Sequence, residues 1–237
     1  MISKTIHYFW YGNEKKPESV MKCIESWKKY CPDYEIIEWN ETNSNIDFCN
    51  YTKKAYDAKK YAFVSDVLRL WVVYTYGGIY LDTDVELLKS YDDLLDSEGF
   101  IGFENNNYVN TGQCFGAIKG NKIIGQMLEF YKSLDFDEKK IIKCTEINTQ
   151  ILLQNGLILN GELQNINGFF VYPQEYFNPY DDATGRLSKT DNTYSIHWYA
   201  KTWIKRSKVQ DRIIKIIHRI FGTDFIHNLA VSLGLRN

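Results

Sequence analysis

The chain has 237 residues, with 28 Lys/Arg against 30 Asp/Glu, 44% hydrophobic and 16% aromatic residues. That length suits one large domain, or one domain with a small appendage, and lets a core bury roughly 70–75% of the unfolded surface. No apolar run reaches the ~18 residues of a spanning helix, the first residues do not read as a secretory signal, and four Pro with 15 Gly exclude a fibrous or disordered chain.

Ile6-His-Tyr-Phe-Trp10 reads as a first strand ending at Gly12. A helix follows Pro17, because Val20, Cys23, Ile24 and Trp27 form an apolar stripe that stops before Pro32. Tyr34 to Trp39 is the next strand, so the chain opens with a βαβ unit and a parallel pair. A long helix is expected from about Thr52 to Tyr76, closed by Gly77-Gly78. Ile79-Tyr80-Leu81 is a short strand with Asp82-Thr83-Asp84 at its C-terminal end, where ligands gather in open α/β sheets. Further strands are expected at 100–103, 114–118, 169–172 and 194–198, and helices at 121–134 and 145–155. The five cysteines form no C-x-x-C pair, which argues against a zinc site or a disulfide framework and for reduced thiols.

Asp82 and Asp84 are the central feature. Two carboxylates two residues apart at a strand end can approach one hard divalent cation, and Mg²⁺ or Mn²⁺ shares such ligands with substrate phosphates. Asp135-x-Asp137 and Asp92-Asp93 read as solvated turns. Asp66 and Arg69 stand three residues apart on one helix face, by themselves an ordinary ion pair. His197 lies in Ile196-His-Trp-x-x-Lys201-Thr202-Trp203, where an imidazole could ligate a metal and a Lys could meet a phosphate. Trp10 is a platform on which a planar base could stack. Glu146, Asn148, Gln150 and the stretch Asn110-Thr-Gly-Gln-Cys114 are polar segments suited to donor or acceptor contacts. No side chain stands out as a nucleophile.

Ile6-His-x-x-Trp10-x-Gly12, Tyr61-x-x-x-Ser65-Asp66-x-x-Arg69, Tyr76-Gly-Gly-Ile-Tyr-Leu-Asp-Thr-Asp84, and His197 with Trp203, in that order, resemble glycosyltransferase family 32. The family carries a sugar-binding region with a D-x-D motif, and the resemblance spans about residues 2–203. It implies an α/β, Rossmann-like GT-A fold, a mixed sheet flanked by helices. It also implies a retaining, Mn²⁺- or Mg²⁺-dependent hexosyltransferase using a nucleotide-sugar, with a UDP-sugar favoured. By the same resemblance, Trp10 stacks on the base, and Asp66, Arg69 and Tyr80 serve the donor's sugar and ribose. Asp82 holds hydroxyls, Asp84 and His197 bind the metal, and Trp203 meets the leaving phosphate, with Thr202 keeping the hydroxyl where the family often has Ser; Lys201 beside them suits the same phosphate by its charge. Asp82, Asp84 and Arg69 are the residues expected to carry catalysis. A metal-dependent nucleotide-sugar hydrolase and a non-catalytic, membrane-associated nucleotide-sugar binding protein are the rival readings.

Residues 201–237 hold eight Lys/Arg against two Asp, a charge of +6 beside an acidic body of −8. Val209, Ile213, Ile216, Ile217 and Ile220 form one stripe of a helix, with Arg212, Lys215 and Arg219 on another side. The division is therefore a catalytic domain, 1–203, and a basic amphipathic C-terminal segment, 204–237. Such a segment suits an anionic membrane, which fits a cytoplasmic protein held peripherally on the inner face of the plasma membrane. The acceptor would then be a saccharide, undecaprenyl-linked, in capsule, O-antigen or exopolysaccharide synthesis. The alternative is a helix docked on the body through its basic side. Nucleic acid is not an expected partner.

Overall fold

The computed structural model describes residues 1–12, 14–200 and 208–221. Strand β1 (Thr5–Phe9), helix α1 (Glu18–Tyr30) and strand β2 (Glu35–Trp39) form the expected βαβ opening, with β1 and β2 parallel from Thr5↔Glu35 to Phe9↔Trp39. Helices α2 (Asn50–Asp57) and α3 (Tyr61–Tyr76) replace the single long helix read from the sequence. The break is a turn in which Lys59 takes a left-handed conformation (φ 57), while Lys59 N–H donates to Tyr56 O and Lys60 N–H to Ala55 O. This is the paired-bond helix ending usually built on glycine. A lysine in that role gave no sequence signal.

Gly77 (φ 75) and Gly78 (φ 104) end α3 and launch β3 (Gly78–Leu81). A Cβ on Gly78 would stand 2.7 Å from Thr5 O, so β1 and β3 can lie side by side only because this residue has no side chain. The remaining strands and helices are β4 (Val85–Leu87), β5 (Gly99–Asn105), β6 (Tyr108–Val109), β7 (Cys114–Ala117), α4 (Lys122–Ser133), α5 (Cys144–Gln154), β8 (Gln164–Ile166), β9 (Phe169–Tyr172), α6 (Gln174–Phe177), β10 (Tyr180–Asp181), β11 (Arg186–Leu187), β12 (Ser195–His197) and α7 (Lys208–Phe221).

The main sheet runs β2-β1-β3-β7-β5-β9-β8, with β6 paired to β5. β1 and β3 are parallel, β7 is antiparallel to both β3 and β5, and β5 is parallel to β9, so the sheet is mixed. Alternation along β3 feeds two cores. Tyr80 packs with Leu68, Met127 and Ile151 of α3, α4 and α5 on one face, while Ile79 and Leu81 pack with Ile24 and Trp27 of α1 on the other. Helices on both faces of a mixed sheet are the α/β architecture expected.

The strand expected at 194–198 lies outside the main sheet. As β12 it pairs antiparallel with the three-residue β4, setting His197 opposite Val85. Helix α1 holds β4 in place, since Trp27 Nε1–H donates to Val85 O at 2.7 Å and Ser26 Oγ accepts from Leu87 N at 2.9 Å.

Helix α7 packs on the β10–β11 hairpin through its basic side. Lys215 Nζ reaches Tyr180 OH at 2.9 Å and Asp182 at 3.1 Å, and Arg219 Nη2 donates to Gly185 O at 2.7 Å. The opposite side carries exposed Ile213, Ile216 and Ile220. The boundary expected at 203/204 falls outside the described residues, as do Lys201, Thr202, Trp203, Lys205, Arg206 and the segment after Phe221. Among the described residues no helix is long and apolar enough to cross a membrane.

Candidate active site

Because β1 and β3 are parallel, Trp10 and Asp82 leave the sheet at the same edge. Asp82, Asp84 and His197 bring one ligand atom each to within 4.8 Å of one another, the cluster of this kind found among the described residues. Asp84 Oδ1 lies 3.3 Å from His197 Nε2, and Asp84 Oδ2 accepts from Ala200 N at 2.7 Å. Burial alone would raise the Asp84 carboxyl, yet the facing imidazole and the Ala200 N–H hold it below the usual carboxylate range. The same pairing holds His197 above its ordinary value in spite of burial. His197 Nδ1 is buried with no partner. Two carboxylates and an imidazole form a donor set that suits Mn²⁺ or Mg²⁺, so these three residues fit the cation implied by the sequence.

Arg69 organises the other half of the site. Its side chain is 4% exposed, and its guanidinium contacts Asp66 Oδ1 at 2.7 Å, Asp82 Oδ1 at 3.7 Å and Ser65 O at 3.0 Å. Its central carbon sits over the Tyr80 ring, 4.9 Å from the centroid, and Tyr80 OH donates to Asp82 Oδ1 at 2.5 Å. Burial pushes the Asp66 and Asp82 carboxyls upward, against the pull of Arg69. What reads in sequence as a surface ion pair is therefore a buried hub joining α3 to the end of β3.

The structure brings together Asp66, Arg69, Tyr80, Asp82, Asp84 and His197. Tyr80 is buried beneath Arg69 and Asp82 and meets the site through them. Trp10 is half-buried, its Nε1–H donates to Glu14 O at 2.7 Å, and the Lys16 ammonium stands 5.7 Å from its ring. Gly12 (φ 93) explains the spacing Trp10-x-Gly12, since a Cβ there would approach the Tyr61 ring at 3.2 Å. Asn148 is fully buried, whereas Glu146 and Gln150 point to solvent. Asp92 and Asp135 are solvent-side partners of Lys4 and Lys54.

Sequence reasoning missed two contributors, the Ala200 amide on Asp84 and Tyr199 against the His197 ring at 4.0 Å, whereas Gly112, beside Arg69 and Asp82, lies in the polar stretch Asn110–Cys114 already singled out. The positive φ of Tyr199 and the close approach at Gly112 leave no mark in residue type beyond the glycine itself.

The family described as "Glycosyltransferase sugar-binding region containing DXD motif" matches residues 17–101, a span that includes Asp66, Arg69, Asp82 and Asp84. The resemblance read from the sequence is borne out over that span. Together with the sheet described above, the match marks the fold as the GT-A type. The chain is 33% identical over 132 residues to inositol phosphoceramide mannosyltransferase 3 of Schizosaccharomyces pombe, covering 54% of this chain and 36% of that protein. It is 26% identical over 159 residues to subversion of eukaryotic traffic protein A of Legionella pneumophila, covering 54% and 24%. A Photorhabdus asymbiotica toxin shares 27% identity over 214 residues, which is 70% of this chain and 7% of the toxin. The chain thus spans little more than a third of the length of the first of these curated relatives and less of the others. The solved structure of the PaToxG glycosyltransferase superposes with a TM-score of 0.52 at 24% identity, covering 65% of this chain and 69% of that one, and shares the fold.

Proposed function

We propose that the chain is a metal-dependent glycosyltransferase that moves a hexose from a nucleotide-sugar, UDP-linked in the favoured case, to a saccharide acceptor. The observation that carries this reading is the convergence of Asp82, Asp84 and His197 beside the buried Arg69 hub. Asp84 and His197, with Asp82, would hold Mn²⁺ or Mg²⁺. Bound there, the cation neutralises the charge that develops on the departing diphosphate. Arg69, Asp66 and Asp82 bind and orient the sugar, and Trp10 serves the base. The reading includes a retaining, front-face path, which the resemblance permits.

The fungal relatives are named inositol phosphoceramide mannosyltransferases, and that name supports an acceptor carried on lipid. The exposed Ile213, Ile216 and Ile220 of α7 support association with a membrane surface, with the isoleucine side rather than the basic side facing lipid. The expected setting is polysaccharide assembly on the inner face of a bacterial plasma membrane.

Thermal unfolding with UDP, GDP and CMP, each with and without Mn²⁺, tests the reading. Ligand at about 100 times its dissociation constant adds roughly 2.7 kcal/mol, a rise of about 5–11 °C for a chain of this size. One nucleotide is expected to stabilise the protein in a Mn²⁺-dependent way. Absence of a shift with all three nucleotides counts against the donor site. Sugar release to water that added saccharides leave undiminished would point to a hydrolase instead.

A further inference from the structure

Tyr199 is held in a conformation that its residue type disfavours. Its φ is 50, in the left-handed region, and a bulky side chain stays there only where its surroundings fix it. The turn brings two amides to one aspartate. Trp198 N–H donates to Asp84 O at 3.0 Å, and two residues later Ala200 N–H donates to Asp84 Oδ2 at 2.7 Å. An extended chain would carry the second amide about 7 Å past the first. The left-handed residue between them folds the chain back instead.

The tyrosine side chain is anchored to elements outside β12. Tyr199 OH donates to Glu104 Oε1 at 3.1 Å and accepts from Asn178 Nδ2 at 2.7 Å. Burial and the Glu104 charge push the phenol upward, so it keeps its proton for that bond. Asn178 is buried, and its Nδ2 also donates to Glu104 O at 3.1 Å, which ties the residue after α6 to the end of β5. Glu104 lies where the β5–β6 register shifts, between Phe103↔Val109 and Asn105↔Tyr108. Such irregularities re-aim a side chain, often beside active sites. The anchored ring lies against the His197 imidazole, with 4.0 Å between centroids and an inclination of 35°. One residue therefore meets both ligands of the proposed cation site: its backbone sets the Ala200 amide on Asp84, and its ring supports His197.

We propose that Tyr199 is a positioning residue for the cation site, with Glu104 and Asn178 as the anchors that keep it in its left-handed turn. The arrangement aligns Asp84 and His197 before the cation arrives, so binding does not have to order them. The inference rests on the metal-dependent reading above and assigns to it three residues that act through Asp84 and His197.

Titration of the full chain with Mn²⁺ in the presence of UDP, GDP or CMP tests it, followed by electron paramagnetic resonance. The free-ion signal reads affinity, and the bound-ion signal reads ligand geometry. Tyr199→Ala removes ring and hydroxyl, and is expected to weaken Mn²⁺ binding by about tenfold or more, the usual effect of losing a group that orients a metal ligand. Tyr199→Phe keeps the ring on His197 and removes only the anchored hydroxyl, so it should weaken binding by about threefold, the effect of one hydrogen bond. Both should broaden the bound-ion spectrum, which a mere loss of folded protein would leave unchanged. Tyr199→Phe decides the matter alone if Tyr199→Ala does not fold. Parent-like affinity in the variants, or weaker binding with an unchanged bound-ion spectrum, overturns the positioning role while leaving the transferase reading standing. A parent chain that binds no Mn²⁺ with any of the three nucleotides sinks both.

Discussion

His197 Nε2 stands 3.3 Å from Asp84 Oδ1 because β12 is registered on β4 with His197 opposite Val85. The same pairing carries the chain on to Ala200, whose amide caps the other carboxylate oxygen. Asp84 is thus held on two sides by a segment remote in sequence, and α1 anchors the strand that makes this possible through Trp27 and Ser26. The geometry of the acidic cluster depends on a two-stranded ribbon as much as on the strand that ends in the D-x-D motif.

Asp84→Asn keeps the size of the side chain and an oxygen for the Ala200 amide, but removes the charge that a cation needs. The variant is expected to fold and to lose the Mn²⁺-dependent part of nucleotide stabilisation, read as the difference in unfolding temperature with and without Mn²⁺. A full Mn²⁺-dependent shift in the variant would place the metal elsewhere.

His7 is fully buried and works as a neutral clamp. Trp39 Nε1–H can only donate, so His7 Nδ1 accepts from it at 3.1 Å and the ring proton sits on Nε2, which donates to Gly77 O at 2.9 Å. Burial holds this imidazole below its ordinary value. Below about pH 6.5 the folded state therefore binds fewer protons than the unfolded chain, and stability falls with pH by up to ~1.4 kcal/mol per unit. His197 is shifted upward, so its contribution has the opposite sign and is lost as pH rises. Comparing the parent with His7→Gln isolates the clamp: the stability gap, read by urea unfolding, should narrow between about pH 7.5 and 5. A gap that stays constant over that range rules the neutral clamp out.

The parts of this architecture that were legible in the sequence are those encoded by local pattern. The stripe Val20, Cys23, Ile24, Trp27 lies on α1, the pair Gly77-Gly78 ends α3, and Asp82 and Asp84 follow β3 as expected. Contacts set by space or long-range registry were not legible. Nothing in Lys59 announces a left-handed residue, three-residue β4 is too short to show a period, and Gly112 matters through what stands 2.8 Å from its absent Cβ. Arg69 and Asp66 had the right spacing for a surface pair, and only the packing of Tyr80 and Asp82 turns them into a buried hub.

Lys59→Gly should stabilise the protein. The lysine is exposed, and it holds a positive φ that costs an L-residue roughly 1 kcal/mol relative to glycine. Glycine also gains freedom in the unfolded chain, which offsets part of the benefit. The expected outcome is a gain of a few tenths to about 1 kcal/mol in urea unfolding. A loss of stability would mean that the lysine side chain, not the backbone, fixes the α2–α3 break.

Arg69→Lys keeps the positive charge and removes the planar fork. A lysine ammonium cannot serve Asp66, Ser65 and Asp82 together as the guanidinium fork does beside the Tyr80 ring. Breaking a buried ion network by removing one partner costs about 3–5 kcal/mol, and the retained charge sets the expected loss near the lower end of that range. Tyr80→Phe, which deletes only the hydroxyl that donates to Asp82, should cost nearer 1 kcal/mol. Urea unfolding of the two variants in the absence of nucleotide gives the comparison. If Arg69→Lys costs no more than Tyr80→Phe, charge alone holds α3 to the end of β3, and the guanidinium geometry is there for the ligand rather than for the fold.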